Sequence, residues 1–86
     1  MTIKNVCTNC QVVQTGNTFT IFSYGTPVYR VVRGEHGETL EGTGRLWDGW
    51  SMTTQKHINR AAPYIGGMVK MTKAIWEKLP VLSVEV

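Results

Sequence analysis

The sequence has no apolar run near the roughly 20 residues that a membrane-spanning helix needs. It also lacks a secretory signal, because Met-Thr-Ile-Lys-Asn-Val at the start carries one Lys and no apolar stretch of about 7–15 residues. We therefore expect a cytoplasmic protein that has no membrane partner.

Recognisable catalytic motifs are missing as well. His57 and Asp48 are available for a nucleophilic triad, but no Gly-x-Ser-x-Gly or similar turn marks a nucleophile. The glycines are spread through predicted hairpins, so they form no phosphate-binding loop. Glu38 and Glu41 lie on one predicted strand and point to opposite faces, which does not suit paired-acid glycoside chemistry. We expect no enzymatic activity and no cofactor.

The chain has 86 residues, of which 42% are hydrophobic and 17% charged. This length predicts a single domain spanning residues 1–86. A chain of this size buries roughly 60–65% of its unfolded surface, which suffices for one modest core. It leaves little room for a core together with a deep substrate cavity.

Strand-forming segments dominate the first half of the sequence. Residues 17–24 and 28–32 are rich in β-branched and aromatic side chains, and 11–14 add a short candidate strand. Gly25-Thr26-Pro27 predicts a turn between the two longer strands, and residues 33–37 predict a hairpin loop. Residues 38–47 predict a third strand, weakened by two internal glycines.

Helical spacing begins after residue 50. Ile58, Ala61, Ala62 and Ile65 share one helix face, Ser51 or Thr53 can cap its start, and Pro63 should end it near Ala62. A second short helix is predicted over 73–79 with Thr72 as its cap, and 81–86 alternate like a half-buried strand. The order β-β-β-α-α-β predicts an α+β fold, a small antiparallel sheet of three to five strands with both helices on one face.

Charge is unevenly distributed in a chain of net charge +3. An acidic segment precedes residue 49, and a basic one follows it. Glu35, Glu38 and Glu41 define an acidic hairpin, whereas Lys56, Arg60, Lys70 and Lys73 define a basic helix face over 56–73. A basic face suits a nucleic acid or an acidic protein, and it is equally typical of an ordinary solvated surface.

Cys7-Thr8-Asn9-Cys10 is the sharpest local motif. Two thiolates at this spacing can share a metal ion, and His36 with His57 would complete a Cys₂His₂ zinc set. The usual finger spacing of the two histidines is absent, and no helix start follows the pair to activate a redox thiol. Two reduced thiols, one of them buried, are the favoured interpretation.

The segment 51–60 is the stretch that looks most functional. Ser51, Thr53 and Thr54 place hydroxyls at a helix start, with Lys56, His57 and Arg60 following, which suits a phosphate or a partner. Simple helix capping explains the same hydroxyls and is favoured. Trp47 and Trp50, just before the helix, either contact a partner or close the rim of the core, and the second interpretation is favoured.

Two motifs carry a resemblance that covers about residues 17–60. Phe22-Ser23-Tyr24-Gly25-Thr26-Pro27-Val28, followed by Ser51-x-Thr53-Thr54-x-Lys56-His57-Ile58-Asn59, resembles a signature of small uncharacterised proteins from bacteriophages and other mobile elements. The resemblance implies a short accessory protein acting inside a host bacterium. Proteins of this kind often disable a host defence by occupying a surface.

These observations favour a non-enzymatic binding protein, and we expect it to act as an anti-CRISPR-like inhibitor of a host protein complex. The acidic hairpin or the basic helix face would make the contact. Direct nucleic-acid binding through the basic helix face is the alternative, and a structural zinc module is the second alternative. The oligomeric state stays open, since exposed Trp and a C-terminal strand are compatible with an edge-to-edge homodimer.

Overall fold

The computed structural model describes residues 1–67 and 70–82. Five strands follow one another along the chain and form one antiparallel sheet in the order β1-β2-β3-β4-β5. Their bounds are β1 Thr2–Cys7, β2 Cys10–Thr15, β3 Thr18–Ser23, β4 Thr26–Val32 and β5 Gly44–Arg45. Each strand therefore pairs with its neighbour in sequence, which needs only short connections.

Two adjacent hairpin turns close the same end of this sheet. Asn9 (φ 61°) lies between β1 and β2, while Tyr24 (φ 54°) and Gly25 (φ 76°) join β3 to β4. Positive φ at both central residues matches the right-handed twist of hairpin strands, and Gly adopts it more easily than Tyr. The Tyr24 N–H donates to the Asn9 carbonyl at 2.8 Å, so the two turns are tied together.

Helices follow the sheet. Helix α1 spans Met52–Ala61, a 3₁₀ turn continues it over Ala62–Ile65, and α2 spans Lys73–Lys78. The α-helical hydrogen-bond ladder gives way just before Pro63, as predicted, because proline cannot donate to it. Within the described residues no helix is of the length and apolarity that crossing a membrane requires.

Both helices cover one face of the sheet, as predicted. The α1 face of Ile58, Ala61 and Ile65 is fully buried in a core shared with Val12 and Ile21 of the central strands. From α2 comes Trp76, which is 1% exposed. Its ring packs edge-on against Tyr29 of β4 at 5.9 Å, and its Nε1–H donates to the Gly49 carbonyl at 2.7 Å. No periodic pattern in the sequence marks Trp76 as a central core residue.

The predicted α+β class is confirmed, but the strand order is not, since five strands precede the helices. β1 was missed because its first residues are exposed along a sheet edge and show no apolar alternation. The predicted turn at 25–27 lies one position too late, since β4 already begins at Thr26.

The predicted strand over 38–47 is wrong. It reduces to Gly44–Arg45 and one isolated bridge from Thr39 to Arg33. Residues 41–42 form a turn in which Gly42 takes φ 98°, and this breaks the extended run. Glu38 and Glu41 consequently lie in a loop and do not share a strand.

Only the first part of the predicted strand 81–86 falls within the described residues. Val81 forms a parallel bridge with Arg45, and residues 83–86 lie outside the described ranges. Gly44 permits this approach, because a Cβ there would stand 2.6 Å from the Pro80 carbonyl oxygen.

Candidate functional site

An open pocket of about 340 Å³ lies at the end of the sheet closed by the two tied turns. It is bounded by the β3–β4 hairpin, the chain leading from β5 into α1, and the first turn of α1. Its lining combines hydroxyl groups with two aromatic rings and one aliphatic side chain: Ser23, Tyr24, Thr26, Val28, Trp47, Ser51 and Thr54. We call it the hairpin pocket.

One wall of the hairpin pocket is the β3–β4 turn. Tyr24 is 63% exposed although it is held at positive φ, where a side chain costs roughly 1–2 kcal/mol. Cross-strand pairing sets Ser23 opposite Thr26, so both hydroxyls belong to the closing pair of the hairpin. A strained and exposed aromatic residue on such a turn is a feature of functional sites.

His57 supports this wall from α1. Its Nδ1 and the Ser23 Oγ are joined by a buried hydrogen bond of 2.7 Å, and its ring lies 5.6 Å from that of Tyr24. Burial, and secondarily the Arg60 charge, lower the pKa of His57 below its ordinary value. The imidazole is therefore neutral at pH 7, and the pocket gains no charge from it.

The opposite wall is the start of α1. Ser51 is its N-cap: its Oγ accepts from the Thr54 N–H at 3.0 Å and donates to the Thr54 Oγ1 at 2.8 Å. The predicted capping role is confirmed. Thr54 and His57 are buried, whereas Thr53, Lys56 and Arg60 face solvent. The predicted site residues of this segment thus divide between the pocket and an exposed basic strip beside it.

The two tryptophans before α1 have different surroundings. Trp47 is half-buried, lines the hairpin pocket and lies against Gly49, where a Cβ would overlap its ring. Trp50 packs on Trp76 at 6.0 Å and belongs to the rim of the core. Both rings pack against the core, as the sequence favoured, and Trp47 also stays a candidate contact residue because it lines the pocket.

The Cys7–Cys10 pair closes the β1–β2 hairpin, with the two residues directly opposite each other. Both thiols are free, and Cys10 is fully buried with its Sγ donating to the His57 carbonyl at 3.6 Å. Burial, together with Cys7, raises the pKa of Cys10 to about 12. Across residues 1–67 and 70–82 no three His, Cys, Asp or Glu side chains gather into a metal-binding group, so the Cys₂His₂ set with His36 does not assemble.

The acidic hairpin lies away from the pocket. Glu35, Glu38 and Glu41 are exposed in the loop after β4, and the Glu38 carboxylate accepts from the His36 N–H at 2.9 Å. Arg33 braces this loop: its guanidinium donates to the Thr39 hydroxyl and to the carbonyls of Ile65 and Gly67.

Other arginines are similarly engaged. Arg30 donates to the Gly42 carbonyl at 3.1 Å, and Arg45 donates to the Leu79 carbonyl while its guanidinium lies 5.9 Å from the centre of the Trp76 ring. Three of the nine Lys and Arg residues thus donate to backbone carbonyls of the protein itself. The basic helix face keeps exposed Lys56, Arg60, Lys70 and Lys73, the last in a 3.9 Å pair with Glu77.

The residue-by-residue reasoning missed Ser23, Tyr24 and Thr26 as site residues. They belong to a strand end and a turn, and they come near α1 only through the tertiary fold. A signal was nevertheless present, because residues 22–28 and 51–59 are the two halves of the motif pair on which the resemblance rests. Both halves contribute side chains to the hairpin pocket.

Comparison with protein families assigns the chain to one family. A family model described as a family of unknown function (DUF8033) matches residues 2–78, and the chain belongs to this family. No curated protein and no solved structure matches it significantly. The matched range includes the whole hairpin pocket.

Proposed function

We propose that this member of DUF8033 is a binding protein without chemistry of its own, and that it holds a partner protein at the hairpin pocket. One observation carries the proposal. Two sequence segments separated by more than 20 residues contribute the opposing walls of a single open pocket. The pocket adjoins the core, which it meets at Val28 and Trp47, and Tyr24 and Thr26 on its outer side stay exposed.

The chemistry of the pocket suits recognition. Its polar groups are neutral hydroxyls, and its aromatic walls supply contact area at low conformational cost. The Ser51 cap and the Ser23–His57 hydrogen bond hold both walls in place before any partner arrives. A preformed site loses little ordering entropy on binding, which favours affinity.

Charge favours a protein partner over a nucleic acid. Nucleic-acid binding needs cations that are free to neutralise phosphates along a groove. Arg30, Arg33 and Arg45 donate to carbonyls of the protein itself, and the acidic hairpin is exposed elsewhere on the same small surface. Of the nine Lys and Arg residues, six lie outside these contacts, and they are spread along the chain from β1 to α2.

The setting that we propose is the cytoplasm of a bacterium carrying a phage or another mobile element. It rests on the resemblance of residues 22–28 and 51–59 and on the small size of the chain. Within that setting, the partner is a host protein complex, and occupation of its surface as an anti-CRISPR-like inhibitor is the expected mode of action.

The test is capture of a partner from bacterial lysate by immobilised protein, with and without nuclease. The wild-type protein is compared with Thr26→Trp, which fills the pocket, and with Trp47→Ala, which removes a wall. Thr2→Trp is the matched control, because it adds the same ring to an exposed position on β1. Each variant is first checked for a native circular dichroism spectrum.

We expect the wild type and the β1 variant to retain the same nuclease-insensitive protein, and both pocket variants to lose it. Retention of nucleic acid alone, removed by nuclease or by raised salt, would contradict the proposal and favour the alternative function. Retention by every variant alike would show that the partner binds elsewhere.

A further inference from the structure

We propose that the occupant of the hairpin pocket is the ring of a tyrosine or tryptophan that has acidic neighbours in the partner's sequence. This inference rests on the proposed function, because it names the chemical group by which a partner protein would be held. Its support comes from the size, the polar edge and the electrical surroundings of the pocket.

The size of the pocket selects one ring. Ligand pockets generally span about 300–1,000 Å³, so about 340 Å³ is near the lower limit. The aromatic groups of Tyr24 and Trp47, with the aliphatic Val28, line the space. Aromatic walls favour another ring through offset or edge-to-face contacts, which add about 0.5–1.5 kcal/mol beyond burial.

The polar edge of the pocket selects a ring that can form hydrogen bonds. Four aliphatic hydroxyl groups line it, on Ser23, Thr26, Ser51 and Thr54. Ser23 is joined to His57, and Ser51 to Thr54, whereas Thr26 is exposed at the mouth. A phenol O–H or an indole N–H can bond such a hydroxyl, and a phenylalanine ring cannot.

Charge complementarity indicates which residues flank the bound ring in the partner's sequence. No ionised side chain lines the pocket, and the neutral His57 adds none. The N-terminus of α1, whose Ser51 and Thr54 line the pocket, carries the positive end of the helix dipole, and the exposed Lys56 and Arg60 follow on the same helix. Asp48, which follows Trp47 in the sequence, is exposed as well. Acidic residues are therefore expected where the partner's chain crosses α1.

Short blocked peptides test this inference by NMR. The ¹⁵N-labelled protein is titrated with Glu-Tyr-Glu, Lys-Tyr-Lys and Glu-Ala-Glu, and separately with adenosine monophosphate and a thymidine dinucleotide. The signals followed are the amides of Tyr24, Thr26 and Ser51 and the indole of Trp47. Thr26→Trp serves as the filled pocket and Thr2→Trp as the matched control.

We expect Glu-Tyr-Glu to shift all four signals in the wild type and in Thr2→Trp. Its binding should be roughly 5-fold tighter than that of Lys-Tyr-Lys, a margin that falls with added salt. Replacing its tyrosine by alanine should weaken binding at least about tenfold. In Thr26→Trp, the amides of Tyr24 and Ser51 and the indole of Trp47 should show no shift.

Two results would overturn the inference. Shifts at the pocket with a nucleotide but with none of the peptides would assign the ring to a nucleobase. Absence of any peptide effect, while partner capture still depends on the pocket, would reject the acidic aromatic segment and leave the proposed function standing. If capture itself is independent of the pocket, the proposed function fails first.

Discussion

The two ends of the sheet satisfy their polar groups in opposite ways. At the pocket end, neutral side chains bond one another: Ser23 with His57, and Ser51 with Thr54. At the other end, which we call the loop end and define as residues 33–43 with the 3₁₀ turn, the charged Arg33 donates to the carbonyls of Ile65 and Gly67 and to the Thr39 hydroxyl. The hydrogen bonds of the loop end therefore involve a charged side chain, whereas those of the pocket end involve only neutral ones.

Because of this difference, the arginine at the loop end serves the stability of the fold, whereas the hydroxyls at the pocket end stay available to a partner. A guanidinium that already donates to several carbonyls has little left to offer a partner, although it adds to every count of net charge. Neutral hydroxyls bonded in pairs keep acceptor capacity, and the aromatic rings around them stay accessible. We therefore expect changes at the loop end to alter stability alone, and changes at the pocket end to alter binding, together with stability where a buried hydrogen bond is lost.

The largest effect is expected from Arg33→Met. It removes the hydrogen bonds to the carbonyls of Ile65 and Gly67 and to Thr39. Loss of charged hydrogen bonds should reduce the free energy of unfolding by about 3 kcal/mol, measured by urea denaturation. Peptide binding at the pocket should be unchanged below the transition. Arg60→Met, at an exposed position, should reduce the free energy of unfolding by less than about 0.5 kcal/mol. Equal losses in the two variants would show that the Arg33 hydrogen bonds do not stabilise the loop end.

Ser23→Ala should reduce the free energy of unfolding by about 2 kcal/mol, because it leaves Nδ1 of the buried His57 without its partner. The same denaturation experiment measures it. Thr15→Ala, which truncates an exposed hydroxyl in β2, is the matched control and should be nearly neutral. Equal stabilities for the two variants would show that the Ser23–His57 bond does not support the pocket.

Tyr24→Asn should affect stability and binding in opposite directions. Asparagine tolerates positive φ better than tyrosine and suits the Asn-Gly turn of hairpins, so the free energy of unfolding should rise by about 1 kcal/mol. Affinity for the tyrosine peptide should fall because a wall of the pocket is lost. Tyr64→Asn, exposed in the 3₁₀ turn, has ordinary backbone angles and should give no such gain.

A pH effect should follow from His57. Its pKa is lower in the folded protein, so the unfolded chain binds the proton more readily below about pH 6.5. The stability from neutral His57 is complete above that pH and is lost as pH falls towards the folded-state pKa. Arg60 on the same helix, with Cys10 and Tyr24 packed nearby, favours the neutral form. The free energy of unfolding should therefore fall between pH 7.5 and pH 5. The fall should be smaller in His57→Gln than in the His36→Gln control.

The smallest effect concerns the thiols. Cys7 is partly exposed, whereas Cys10 is fully buried and has a pKa raised to about 12. Iodoacetamide should therefore modify Cys7 in the folded protein and reach Cys10 only after unfolding, as mass spectrometry can locate. Equal modification of both under native conditions would show that the pocket end opens readily.

Local patterns predicted much of this fold because their causes are local. The α1 face of Ile58, Ala61 and Ile65 follows from helical periodicity, and the Ser51 and Thr72 caps follow from unpaired N–H groups at helix starts. β1 and the 38–47 segment were mistaken because an exposed edge strand has no alternation and an internal turn leaves β-forming residues without a partner.

The candidate site was only half predictable. Ser51, Thr54 and Trp47 were found from the sequence because they mark a helix start and an aromatic turn. Ser23 and Tyr24 were not, since their importance depends on the distance to a helix more than 20 residues away. Their presence in the same motif pair was the one available hint.

By itself, the sequence determined an α+β chain with two capped helices, a neutral hydroxyl-rich helix start and an excess of formal positive charge. Tertiary structure alone decided which charges are free and which residues share a pocket. The physical reason is that capping and periodicity act over a few residues, whereas a guanidinium reaching Ile65 or a serine reaching His57 acts across the packed sheet and helix.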